Sequence, residues 1–358
     1  MKRFLILDIG AGTMDVLYYD RGAGLHYKAV VRSPVLTIAG KAARLQGNLL
    51  VTGVEMGGGP ISRFLEKRAR EAKVVMSASA AATIHHDVER VKALGIQVID
   101  DMEAEALKET GRYRHILLGD LEIPRIRNII EGFGVPFSFD AVGLCAQDHG
   151  IPPEGISHLE YRHRVFKAYL DRNPHPHALL FKKDEVPAAF NRLASLARTA
   201  ASLPTEAVYV MDSGMAAILG ASLDPRAKGS RKFMVMDVAT SHTVGAALEE
   251  GKLAGFFEYH TRDISPRLME ELLRNLADGR IEHEKILREG GHGAYLRKAI
   301  GFQSAGTIIV TGPKRALLAR LNLPTIPGAP LGDNMMTGAA GVLEAIRRYE
   351  KLEPLPEF

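Results

Sequence analysis

The sequence predicts an α/β protein of two lobes, each built on a mixed β-sheet, with a cleft between them. Three observations carry this. Residues 4–8, FLILD, are a short apolar run ending at an acid, followed by the small-residue turn IGAGT. Strand-like runs at 15–20 (DVLYYD) and 25–31 (LHYKAVV) then flank the turn Asp20-Arg21-Gly22-Ala23-Gly24, giving an antiparallel meander. The same order returns in 233–257, FMVMDVATSHTVGAALEEGKLAGFF; an offset of 229 residues puts Phe4 on Phe233, Asp8 on Asp237 and Gly22 on Gly251. A repeated strand–acid–small turn–strand–hairpin–strand unit is the signature of a duplicated lobe. Between the copies, short apolar runs alternate with helical patterns, as in α/β proteins.

The remaining elements follow in chain order. Residues 61–73 read as a helix with Ile61, Phe64, Leu65 and Ala69 on one face. A strand starts at 74–76, a helix covers 80–94, and buried strands fall at 96–99, 115–118 and 140–144. RIRNIIEGFG after Pro124 is a helix with a glycine stop. Residues 151–187, rich in Pro and His, read as irregular apart from a helix near 160–171. A helix at 187–200, a strand at 207–211 and a small-residue helix at 213–222 come next, and 224–230 is a lobe linker. After the second meander the pattern gives helices near 265–278 and 283–300, a strand at 307–311 and a helix at 314–321. A Pro/Gly loop at 324–332 and a last helix at 334–350 end the pattern. Lobe I would be 1–225 plus 333–358, with an α/β elaboration over about 35–205; lobe II would be 226–332.

Composition excludes several classes. Hydrophobic residues are 46% and charged residues 25%, the balance of a globular chain rather than a disordered one. The net charge is +4 with acids and bases interspersed, so no basic tail points to nucleic acid. One cysteine, Cys145, leaves no disulfide framework and no four-thiolate cluster within the chain. No stretch approaches the roughly 18 apolar residues of a membrane span, and the start MKRFLILDIGAGT does not read as a signal peptide. The expectation is a cytoplasmic protein that binds neither nucleic acid nor membrane.

Five segments occur in a telling order: LILDIGAGTMDV (5–16), VMDSGMAAILGA (210–221), VMDVATSHTVGAAL (235–248), IIVTGPKRALLA (308–319) and GDNMMTGAAGVLEAI (332–346). Gly10, Gly12 and Thr13 make a turn without bulky side chains, where backbone N–H groups can approach a phosphate and a hydroxyl can donate to it. Asp8 and Asp237 end equivalent strands, and two carboxylates beside a triphosphate can hold a hydrated Mg²⁺ or position an attacking oxygen. No G-x-x-x-x-G-K-[ST] is present, which excludes an ordinary P-loop.

In that order the segments resemble the phosphate-1, connect-1, phosphate-2, adenosine and connect-2 motifs of the actin-like ATPase superfamily of sugar kinases, actin and heat-shock chaperone ATPases. The chain is most similar to its prokaryotic branch labelled pyruvate formate-lyase activating enzyme-related. The resemblance implies a two-lobed, ribonuclease H-like fold that binds ATP and Mg²⁺ and acts as an ATPase or phosphotransferase. It carries catalytic or metal roles to Asp8, Asp237 and Asp212, with Mg²⁺ held through water by Asp8 and Asp237. Gly10, Gly12, Thr13, Thr240 and Ser241 would hold phosphate, Gly312 would lie beneath the adenosine and Arg315 would stack on adenine. Gly338, Ala339 and Ala340 would permit a close helix crossing. The branch label implies radical chemistry, which needs a cysteine trio that this chain lacks. The phosphate-2 turn also departs from pattern: Ala239, Thr240 and Ser241 replace glycines, and His242 takes the place of Thr13. That motivates an alternative, a non-catalytic regulatory protein that binds nucleotide or a small ligand.

Other segments are candidates for a substrate. Gln147, Asp148 and His149 lie at a strand end, as do Glu258, Tyr259, His260 and Arg262. Gly57-Gly58-Gly59-Pro60 feeds a helix and is a secondary anion candidate. Cys145, Asp148, His149, His158, His163, His175 and His177 have no known zinc-ligand spacing, and ordinary surface and core histidines account for them. Met234, Met236, Met335 and Met336 read as core. The expected partners are a nucleotide, a small molecule or protein client, and a second copy in a homodimer.

Overall fold

The computed structural model describes residues 1–356. Two six-stranded sheets form its frame. The first runs in the order Leu25–Arg32, Thr13–Asp20, Arg3–Ile9, Phe139–Ala146, Thr205–Asp212, Leu180–Lys182. The second runs Gly293–Leu296, Lys252–His260, His242–Glu249, Lys232–Val238, Ile308–Thr311, Thr325–Pro327. Each holds an antiparallel three-strand meander followed by two parallel strands, Phe139–Ala146 and Thr205–Asp212 in one, Ile308–Thr311 and Thr325–Pro327 in the other. This is the duplicated, mixed-sheet architecture that the two meanders predict.

The repeat holds in detail. Gly10 N–H donates to the Thr13 carbonyl at 3.0 Å, and 229 residues on, Ala239 N–H donates to the His242 carbonyl at 3.0 Å. None of Ala239, Thr240 and Ser241 has a positive φ, so the second turn forms without glycine and without strain.

A third sheet of four parallel strands, ordered Gln97–Ile99, Val74–Ser77, Leu49–Gly53, Arg114–Leu118, lies within the segment between the first meander and Phe139. Its strands are short and apolar, and it has its own core around Val51, Met76, Ile61 and Leu65. Helices Ser213–Ser222 and Thr337–Tyr349 cross closely between the large sheets. A Cβ on Gly220 would stand 1.8 Å from the Thr337 carbonyl oxygen, and one on Gly341 would stand 1.9 Å from that of Ala216. These two glycines permit the crossing; Gly338, expected to do so, instead faces Asp8.

Several sequence expectations are corrected. The helix expected at 283–300 stops at Arg288, because Gly290-Gly291-His292-Gly293 breaks it, with φ of 85° at Gly290 and 113° at Gly293. Residues 293–296 instead form an edge strand against Lys252–His260. The helix expected at 80–94 is two short helices, 78–81 and 88–93, the second capped by the Asp87 side chain. Helix Pro34–Ala43 and strand Leu49–Gly53 carried no expectation. The loop at 324–332 contains the strand Thr325–Pro327. Residues 357 and 358 of the expected lobe I lie outside the described residues. Among the described residues no helix is long and apolar enough to cross a membrane.

Candidate functional site

A cavity of about 660 Å³ opens between the two meander turns. Asp8, Gly10, Gly12 and Thr13 line it from the first sheet; Asp237, Thr240, Ser241 and Gly312 line it from the second. Gln147, Asp148, His149 and His260 also face it, as does the Gly57–Pro60 turn. Three expected site residues do not. Arg262 points away, largely exposed and paired with Asp263 at 3.3 Å. Arg315 lies in a 3₁₀ turn outside the lining. Asp212 is buried behind the lining, where it caps helix Ser213–Ser222 through Met215 N–H and accepts from Arg162 at 2.8 Å.

The carboxylates are the strongest feature. Asp8, next to the last residue of its strand, is half-buried, and burial pushes its pKa up to about 7 against the lowering hydrogen bond to Cys145; the Asp237 charge adds to the rise. Asp237 is raised to about 6 by burial, opposed by the Thr311 hydroxyl, which donates to Oδ1 at 2.8 Å. Asp15, which carried no expectation, is directly across from Asp8 in the antiparallel register. Burial raises it to about 8, with the Asp8 charge second, against a lowering hydrogen bond from Thr13. One oxygen of Asp15 is buried without a partner. Asp8, Asp15 and Asp237 thus line one cavity as hard oxygen donors, with no ion pair to a cationic side chain among the described residues, a set that suits Mg²⁺.

The two turns meet at one point. A Cβ on Gly12 would stand 2.9 Å from the Thr240 methyl. A side chain at 12 would have to displace Thr240, and no room is left for an anion directly between Gly12 and Thr240. Gly312, at φ 85°, lies against the Val238 backbone, where a Cβ would come within 2.5 Å of the carbonyl oxygen. Gly338 opens helix Thr337–Tyr349 against Asp8, and a Cβ there would fall 2.0 Å from Oδ2.

A buried polar network joins the sheets behind the cavity. Arg162, on helix His158–Arg172, donates to Glu258 at 2.7 Å and to Asp212 at 2.8 Å. Gln147 Nε2 donates to Glu258 at 2.6 Å. The Arg162 charge holds Glu258 well below the usual carboxylate range against its burial. Asp148 is raised to about 6 by burial; it accepts from Gly150 and Leu193 N–H groups at 2.8 and 2.9 Å, so its carboxylate fixes the loop. His149, His242, His260 and His292 crowd beside this network; burial pushes His149 and His242 down to about 3, which leaves both neutral.

No curated protein matches the chain in sequence. Among solved structures, the ethanolamine utilization protein EutJ from Carboxydothermus hydrogenoformans is 13% identical, with 96% of this chain and 89% of that chain covered and a TM-score of 0.34. The activator of the 2-hydroxyisocaproyl-CoA dehydratase from Clostridium difficile, with bound ADPNP, is 9% identical over 98% of each chain, with a TM-score of 0.35. MreB5 of Spiroplasma citri, bound to ADP, is 13% identical over 98% of each chain, with a TM-score of 0.34. These likenesses give this chain no residue role and no ligand. A family model matches residues 56–317, well over half of the chain. The chain belongs to that family, described as "Putative pyruvate format-lyase activating enzyme (DUF1786)".

Proposed function

We propose that the protein binds ATP with Mg²⁺ in the cleft between the two meander turns and transfers the terminal phosphoryl group to water or to a small hydroxyl acceptor. The observation that carries this is the pair Asp8 and Asp237, at equivalent strand ends of two duplicated sheets, facing one cavity beside small-residue turns. Phosphate oxygens would lie in the cavity alongside the turn of Gly10, Gly12 and Thr13 and the turn of Thr240 and Ser241, not between Gly12 and Thr240. Gly312 would pass beneath the adenosine. Asp8 and Asp237 would hold the hydrated ion, with Asp15 behind Asp8. Mg²⁺, when bound, supplies charge neutralisation for the phosphates.

The chain's own residues supply the rest. A carboxylate with a pKa near neutrality is suited to accept the proton of an attacking oxygen. Asp237, at about 6, meets that requirement, while Thr311 fixes its orientation. The acceptor oxygen forms a bond to the γ-phosphorus, the bond to the β-phosphate oxygen breaks, and ADP leaves. The acceptor proton goes to the carboxylate. Gln147 and His149 line the same cavity and would contact the acceptor. The activity in the family's description forms no part of this reading, because the chain has one cysteine, buried beside Asp8.

ADP formation, followed with and without small hydroxyl acceptors, tests the reading. Asp237→Asn should lower turnover by about 10²–10⁴-fold. Equal turnover in the variant and the parent would remove Asp237 from the chemistry. Tight ATP binding with no ADP formed, across a broad panel of acceptors, would favour the regulatory alternative.

A further inference from the structure

Besides the three carboxylates, the cavity wall carries His242 and His260, with His292 behind them. His242 and His260 are cross-strand partners in the second sheet. His292 comes up beside them from the Gly290–Gly293 turn, whose backbone places its N–H on the Glu258 carbonyl at 2.8 Å. Ring centroids are 4.6 Å apart for His242–His260, 4.9 Å for His242–His292 and 4.4 Å for His260–His292. The rings are tilted by 38°, 53° and 78°, so they converge by their edges and do not stack. One ring nitrogen of each lies within 4.8 Å of the others. His242 Nε2 and His292 Nδ1 are buried with no hydrogen-bond partner. Unsatisfied buried nitrogens are costly unless something meets them.

We infer that His242, His260 and His292 form a binding site for a transition-metal ion of the zinc class, with its fourth position open to the cavity. Three imidazoles favour Zn²⁺, Co²⁺ or Ni²⁺ over Mg²⁺, which prefers oxygen. At metal–nitrogen distances of about 2.0–2.1 Å, tetrahedral ligands stand about 3.3 Å apart, so each ring closes by less than about 1 Å. The surroundings match what such ligands need. His260 is hydrogen-bonded to the Ser241 backbone, which orients its ring, and the Glu258 carboxylate, 3.6 Å from His292 Nδ1, adds negative charge beside the site. Charge also favours a cation: Arg162 against Glu258 and Asp212 leaves one net negative charge behind the site. His242 and His260 line the cavity with His149, so the fourth position would take water or a ligand oxygen. This inference stands apart from the ATP reading, since its residues and its ion are different.

The test uses the full, untagged chain, stripped with a chelator and then titrated with Zn²⁺ and with Co²⁺ in the absence of nucleotide. The site predicts one equivalent of Zn²⁺ and a Co²⁺ spectrum with the strong visible bands of tetrahedral nitrogen and oxygen coordination. Weak octahedral bands would place the ion at the carboxylates and overturn the inference. His260→Gln, at a half-buried position, should weaken Zn²⁺ at least about 100-fold with an unchanged metal-free melting curve, whereas His163→Ala and His177→Ala should not. Zinc-edge X-ray absorption of the parent protein, which depends on no variant, should count three imidazoles. Fewer than three, unchanged affinity in His260→Gln, or no binding at millimolar Zn²⁺ each contradicts the site.

Discussion

Asp15 sits at the centre of the site's electrostatics at the scale of single residues. It faces Asp8 across the ladder, so two carboxylates compete for one desolvated pocket with Asp237 nearby. Asp15→Asn removes one of these charges and leaves a side chain of the same shape. It should be more stable than the parent by about 1–3 kcal/mol at pH 8.5, read as a higher melting temperature, and the gain should vanish near pH 4. A variant less stable than the parent at pH 8.5 would contradict the burial argument. Gly338 answers the same carboxylate from the opposite side. Gly338→Ala would drive a methyl into Asp8 Oδ2, displacing it at a cost of about 1–3 kcal/mol, and Mg²⁺-dependent ATP binding should fall at least tenfold. Asp8, Gly10, Gly12, Thr13 and Asp237 were legible as cavity residues because short apolar runs end at them. Asp15 was equally readable, since across a tight turn it must pair with Asp8. Arg262 and Arg315 were misplaced because nothing local fixes which way a long side chain turns at a strand end.

Elements carry the next lesson. The two meanders were legible because local turns set their register, and the parallel strands Phe139–Ala146, Thr205–Asp212 and Ile308–Thr311 because they are short, apolar and bounded, whereas Thr325–Pro327 sits in a run that reads as a Pro/Gly loop. The edge strand at 293–296 was not, since its strand partner is supplied by Lys252–His260, far off in sequence. With it His292 was lost as a site residue, although the run Gly290-Gly291-His292-Gly293 was a readable break. The crossing of helices Ser213–Ser222 and Thr337–Tyr349 depends on backbone contact rather than on side-chain interdigitation. Gly341→Ala places a methyl 1.9 Å from the Ala216 carbonyl oxygen and should cost more than about 3 kcal/mol, read as a lowered denaturant midpoint. A cost below 1 kcal/mol would mean the helices are free to separate.

Across the whole molecule, helix His158–Arg172 ties the two large sheets together. Arg162 spans Asp212 of one and Glu258 of the other, and Asp171 accepts from Tyr295 of the second sheet's edge strand at 3.1 Å. This helix was legible near 160–171; the strand Leu180–Lys182, in the rest of the segment 151–187 that reads as irregular, was not, because its partner Thr205–Asp212 lies outside the segment. Arg162→Met strands two buried carboxylates and should destabilise by about 3–5 kcal/mol, measured by urea unfolding. The pH profile follows from the carboxylates. Asp8, Asp15 and Asp237 have folded pKa values of about 7, 8 and 6, all raised from 3.8. Their contribution is fully present below about pH 4 and is lost as pH rises through 6 to 8, so these groups make the ligand-free protein less stable at pH 8.5 than at pH 5.5. A cation bound to the ionised forms works in the opposite direction. The most direct measurement is therefore a calorimetric titration with ATP, with and without Mg²⁺, on the parent and on Asp8→Ala/Asp237→Ala. The cleft reading predicts micromolar binding that needs Mg²⁺ and disappears in the folded double variant. No heat from the folded parent up to millimolar ATP would contradict it.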